Sequence, residues 1–205
     1  MSDERFNNPE ESWAELVKEF GNDHKPLSPG LSDAFLSAPY SLMWQVSWYK
    51  FAGKMIGNRG TVLVYDHLEG LGGWTVACEV QGVHAVLKEG DNSEMIAANW
   101  DFEKIRFLGF DDAVSSEKYA GIVCFDPDAR KDGAQWESFF RDSASLIHPD
   151  GVVVAGGSNA GLDNILKEAA KKSFKHVFMF GRGQIHPCVS PAEVVILLAC
   201  GLLLP

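Results

Sequence analysis

The sequence predicts an α/β fold, a doubly wound and mainly parallel sheet of about seven strands with an antiparallel last strand. Three observations predict it. From Thr61 onward, short and continuously apolar runs alternate with segments of helical periodicity, the pattern of a parallel sheet covered on both faces. A length of 205 residues with 46% hydrophobic and 22% charged residues suits a single buried core. The last two apolar runs lie too close for a helical crossover, which points to an antiparallel final strand.

Residues 1–40 are polar and carry P-L-S-P-G around Pro26 to Gly30; they are expected to form an N-terminal helical extension, with residues 41–205 as the α/β domain. Pro9-Glu10-Glu11 opens a short helix ending at Phe20, since proline and acids suit a first turn. Trp13, Leu16, Val17 and Phe20 fall on one face of that helix. A second helix is expected over Leu42–Ile56, where the stripe of Trp44, Trp48, Phe51 and Met55 reads as packing. The expected strands are Val62–Tyr65, Val83–Leu87, Ile105–Leu108, Gly121–Phe125, Val152–Ala155, His176–Phe180 and Val194–Ala199. The helices between them are Gly72–Val80, Ser93–Trp100, Gln135–Ile147 and Leu162–Ser173.

Charge and composition exclude several function classes. A formal net charge of −10 argues against a nucleic-acid partner and against an anionic membrane surface. The four cysteines include no C-x-x-C pair, and Cys78, Cys124 and Cys200 sit in apolar runs, so buried reduced thiols are expected. The N-terminus has no apolar signal core, and the longest apolar run, Val194–Leu204, spans eleven residues, where a membrane helix needs ~20. The expectation is a cytoplasmic protein. No G-x-S-x-G elbow, Walker loop or zinc spacing occurs, and no metal is expected.

Folds of this class bind ligands beyond the carboxyl ends of their strands. That rule selects Asp66-His67-Leu68-Glu69-Gly70, Lys88-Glu89, Asp126-Pro127-Asp128 and Gly156-Gly157-Ser158-Asn159. Asp66, His67 and Glu69 with Asp126 and Asp128 form a possible carboxylate–imidazole set for a cation or acid–base work. Loop-end acids beside helix starts are more simply explained by solvation, by capping and by the helix dipole, and Asp126-Pro127-Asp128 is also a plain turn.

The helix bearing Trp48-Tyr49-Lys50-Phe51 ahead of the first strand, Leu146-Ile147-His148-Pro149-Asp150-Gly151-Val152 at the fifth, and His176-Val177-Phe178-Met179-Phe180 followed by Ile185-His186 and Pro191 carry a resemblance. Over Ser41 to Gly201 the chain resembles the class I S-adenosylmethionine-dependent methyltransferases, and within them an uncharacterised bacterial branch. The resemblance implies a Rossmann-like methyltransferase fold whose last strand inserts antiparallel between strands five and six. It also implies methyl transfer from S-adenosylmethionine to a small-molecule or glycan-like acceptor.

By the same resemblance the cofactor seat falls on Asp66, Leu68, Glu69, Gly70, Gly72 and Glu89, with Asp126 and His186 as candidate catalytic groups. The family pattern is an acid followed by G-x-G-x-G; here Val64 stands at the acid and Asp66 and Leu68 at the first two glycines, leaving Gly70 and Gly72. The ribose-binding acid at the end of strand two falls on Leu87, with Glu89 two residues on, and no acid precedes strand four in Tyr119-Ala120-Gly121. Degenerate cofactor motifs predict weak or absent binding of S-adenosylmethionine.

Two functions stay open on the sequence: a methyltransferase with an altered cofactor mode, or a non-catalytic binding or assembly module of the same fold, a pseudoenzyme. A metal-dependent hydrolase on the acidic set is a distant third. The expected partner is a small molecule; a homo-oligomer, with residues 1–40 as lid or dimer contact, is left open.

Overall fold

Val62, Leu63 and Val64 are each fully buried, so the first strand, β1 (Thr61–Val64), needs cover on both faces, and the rest of the chain supplies it. The computed structural model describes residues 36–37, 39–65, 68–100, 102–115, 118–125, 132–157, 161–182, 187–189 and 195–203. Ahead of β1 runs α1 (Pro39–Ile56), three residues longer at its start than the sequence predicts. After β1 come a 3₁₀ turn over Leu68–Gly70, α2 (Leu71–Ala77) and β2 (Gly82–Val86). Then follow α3 (Ser93–Asn99), β3 (Ile105–Leu108), α4 (Phe110–Ser115) and β4 (Tyr119–Cys124). The second half is α5 (Gly133–Leu146), β5 (Ile147–Gly157), α6 (Leu162–Ala170), β6 (Phe174–Arg182), β7 (Pro187–Val189) and β8 (Val195–Leu202).

Local chemistry explains the helix starts. The Asn92 side chain accepts from the Met95 N–H at 3.0 Å at the head of α3. Asp132 does the same for the Gln135 N–H at 2.9 Å at the head of α5. Each bond satisfies one of the unpaired donors of a first turn.

The strands form one sheet of eight in the order β3-β2-β1-β4-β5-β8-β6-β7. β1 through β5 pair in parallel with their neighbours. β8 lies between β5 and β6 and is antiparallel to both, the insertion that the resemblance implies. Two elements correct the sequence reading. The three-residue β7, antiparallel to the end of β6, makes eight strands instead of seven; Cys188-Val189 is too short a run to read as a strand. The short α4 also escaped, because six residues carry less than two turns of periodicity.

The core divides across the sheet. On one face Leu63, Ile122, Val153 and Leu197 pack under α5 and α6 with Trp136, Phe140 and Leu166. On the other, Val62, Val64, Val123, Val154 and Leu198 pack under α1 and α2 with Tyr49, Ile56 and Val76. Alternate strand residues thus feed opposite layers, as the strand period requires. Of the cysteines, Cys124 is buried and Cys200 half-buried, while Cys78 is exposed, a correction to the expected burial: it follows Ala77 on the first residue past α2, where the helix end meets solvent. No described helix is long and apolar enough to cross a membrane. The predicted helix over Pro9–Phe20 lies outside the described residues.

Candidate functional site

The strand order turns back between β1 and β4, and such a switch point leaves a crevice at the carboxyl ends of the strands. The turn after β1 borders it. Within that turn Leu68 (φ 49) and Glu69 (φ 51) are the non-glycine residues with positive φ, and Gly70 follows at φ 96. A left-handed conformation costs an L-residue ~1–2 kcal/mol, so the turn follows a glycine-type path with two residues that resist it.

Three contacts hold it there. The Trp100 indole N–H, from the residue just past α3, donates to the Glu69 carbonyl at 2.6 Å. The same indole lies on Gly70, where an added Cβ would sit 2.0 Å from Trp100 Cδ1. Leu68 is half-buried and packs into the α1-side core. Trp74, 40% exposed on α2, backs the indole with ring centroids 6.0 Å apart. Gly70 therefore serves a side chain of the protein itself.

Gly72 has its own internal explanation. A Cβ there would lie 2.6 Å from Cε1 and Cζ of Tyr49, which is buried and meets Phe125 edge-on at 5.1 Å. The missing side chain lets α1 close on α2. At the end of β2, Leu87 is half-buried and its N–H bonds the Leu108 carbonyl at 2.9 Å. Glu89 is exposed in the following loop, where the Lys88 N–H bonds Asp91 Oδ2 at 2.7 Å.

The structure brings Leu68, Glu69, Gly70 and Gly72 together at one turn and sets Glu89 apart in the next loop. Asp66, His67, Asp126, Asp128, Ser158, Asn159 and His186 lie outside the described residues, so of the carboxylate–imidazole set Glu69 alone is described. Sequence reading missed Trp100, the residue that most shapes the turn; its only signal was a large aromatic immediately after a short helix. S-adenosylmethionine needs close backbone approach at its methionine end and an acceptor pair for its ribose hydroxyls. Among the described residues, the indole stands over Gly70, and the half-buried Leu87, where the resemblance puts the ribose acceptor, carries no acceptor atom on its side chain. These residues do not fit that cofactor.

No protein-family model matches the chain, and no curated protein matches it. Solved structures do. An N-methyltransferase of Bradyrhizobium japonicum in complex with S-adenosyl-L-homocysteine is 13% identical, over 92% of this chain and 96% of that one, with a TM-score of 0.56. An S-adenosylmethionine-dependent O-methyltransferase of Thermotoga maritima is 10% identical over 93% and 72%, with a TM-score of 0.59. A precorrin 8w decarboxylase of Methanobacterium thermoautotrophicum is 10% identical over 87% and 92%, with a TM-score of 0.51. Identities this low speak to architecture, and the inserted antiparallel β8 agrees with them: the chain has the Rossmann-like fold of the class I S-adenosylmethionine-dependent methyltransferases.

Proposed function

We propose that the protein is a methyltransferase-fold binding module whose crevice at β1, β2 and β4 takes a small molecule and holds S-adenosylmethionine weakly or not at all. The single observation that carries this is the Trp100 indole, bonded to the Glu69 carbonyl and seated on Gly70. A ligand approaching the turn from that side meets an aromatic face instead of open backbone. The half-buried Leu87 adds a second loss, because a ribose hydroxyl pair finds no carboxylate there. A hydrogen bond to a charged acceptor is worth ~1.5–3 kcal/mol, so a missing bidentate acid alone lowers affinity by orders of magnitude.

One observation favours a second reading, methyl transfer from S-adenosylmethionine to a small-molecule or glycan-like acceptor with an altered cofactor mode. The turn has positive φ at Leu68, Glu69 and Gly70, a glycine-type path at the position where the resemblance puts the cofactor loop. Asp126 and His186 are the candidate catalytic groups for that reading, and Asp66 and Glu89 its remaining candidate cofactor contacts. Calorimetric titration with S-adenosylmethionine and with S-adenosylhomocysteine decides between the two. No heat up to millimolar ligand supports the binding module; a micromolar Kd for either overturns it and favours the altered-cofactor reading.

A further inference from the structure

One stretch of the sheet is apolar and, among the described residues, exposed. Phe178 pairs with Leu198 and His176 with Cys200 across β6 and β8. Opposed residues of an antiparallel pair share a face, and Leu198 and Cys200 belong to the α1-side layer. Phe178 therefore stands on the α1 side of the sheet, and it is 50% exposed. α1 meets β6 higher up, where Phe51 packs edge-on against Phe180 at 5.1 Å. Met55 lies one turn further along the same face of α1, and Phe178 two residues earlier in β6. α1 descends as β6 rises, so both steps run toward the amino edge by ~6 Å and ~6.6 Å. Met55, 37% exposed, thus flanks Phe178. On the opposite face β6 and β8 have α6 over them.

Val189 and Val195 stand level with Phe180 and Gly181 on opposite sides of β6. Below that level, from Phe174 to Met179, no described strand pairs with the outer edge of β6. Open edges and exposed aromatics together attract a partner.

We propose that residues 9–20 of the same chain dock on this face as a helix. Their sequence places Trp13, Leu16, Val17 and Phe20 on one apolar side, matched to Met55, Phe178 and the rim of Phe51 and Phe180. The chain outside the structure begins where it must. α1 starts at the carboxyl edge, and the eighteen residues 21–38 join its start to Phe20; they reach up to ~60 Å when extended, more than twice the ~24 Å from the start of α1 down to Met55. Charge agrees. Residues 1–23 hold seven acids (Asp3, Glu4, Glu10, Glu11, Glu15, Glu19, Asp23) and two bases (Arg5, Lys18), and the basic residues Lys175 and His176, both exposed, come just before Phe178 in β6. The N-terminal extension is then a further helix of the α1-side layer.

Hydrogen exchange by mass spectrometry on the full chain tests this. Amides 12–20 should exchange at least about tenfold more slowly than in the isolated 1–35 peptide. Phe178→Asp combined with Met55→Asp should abolish that protection while the amides of β8 stay protected, which shows that the sheet still folds. Unprotected amides 12–20 in the unaltered chain overturn the proposal, as does protection that survives the double substitution. Protection that grows with protein concentration also overturns it, by assigning the face to a second copy.

Discussion

Gly70→Ala isolates the contact on which the site depends. Two costs add at this position. The backbone at φ 96 disfavours any L side chain by ~1–2 kcal/mol. The new methyl would also stand 2.0 Å from Trp100 Cδ1, so the indole must leave. Its departure breaks the N–H bond to the Glu69 carbonyl, worth ~0.5–1.5 kcal/mol, and the contact with Trp74, worth ~0.5–1.5 kcal/mol. The expected total is about 2–5 kcal/mol, the sum of these terms. Gly90 supplies the internal control: its φ is 92, yet nothing lies within 4 Å of an added Cβ, so Gly90→Ala should cost the backbone term alone. Urea unfolding followed by tryptophan fluorescence reads both as shifts of the midpoint at constant slope. In a Trp100→Ala background the extra cost at Gly70 should vanish. The reasoning fails if the two glycine substitutions differ by less than ~0.5 kcal/mol, or if Gly70→Ala costs the same with and without Trp100.

The remaining predictions follow from the same structure. Asp66→Gly with Leu68→Gly, Leu87→Asp and Trp100→Ala should give measurable S-adenosylmethionine binding by calorimetry, since it frees the turn and restores a ribose acceptor; a folded variant with no heat of binding places the obstacle elsewhere. Cys78 is exposed in area, but partial shielding of its sulfur from water, and then the Glu79 carboxylate, hold its thiol above the usual value. Iodoacetamide should therefore label it with a rate midpoint at higher pH than a free thiol, and Glu79→Gln should lower that midpoint; a midpoint at or below the ordinary thiol value contradicts this. Deleting everything after Ser190 removes β8, which is bonded on both sides and buries Leu197, Leu198 and Ala199. The truncated chain should be insoluble or molten; a cooperatively unfolding monomer would contradict the sheet order.

Much of the sheet was legible because its strands are buried on both faces. Ile105–Leu108 matches β3 at both ends, and the starts of α3 and α6 fall on Ser93 and Leu162 as read. Runs that are apolar throughout leave little choice of element. What the runs could not give was length beyond the apolar part: β5 begins at Ile147, through His148-Pro149-Asp150, because Tyr119 on β4 offers Ile147 a partner. The site was legible by position and not by contact. Strand one followed by Gly70 and Gly72 located the turn, but both glycines answer to aromatic rings from elsewhere in the chain, Trp100 and Tyr49. Local sequence cannot carry such long-range contacts: Trp100 comes from thirty-one residues beyond Glu69.

The proposed function rests on the Trp100 indole over Gly70 keeping S-adenosylmethionine from this turn. The most direct measurement is calorimetric titration of the unaltered full chain with S-adenosylmethionine at neutral pH. The expected result is no saturable heat up to millimolar ligand; a Kd in the micromolar range would contradict the account and show that the indole over Gly70 yields to the cofactor.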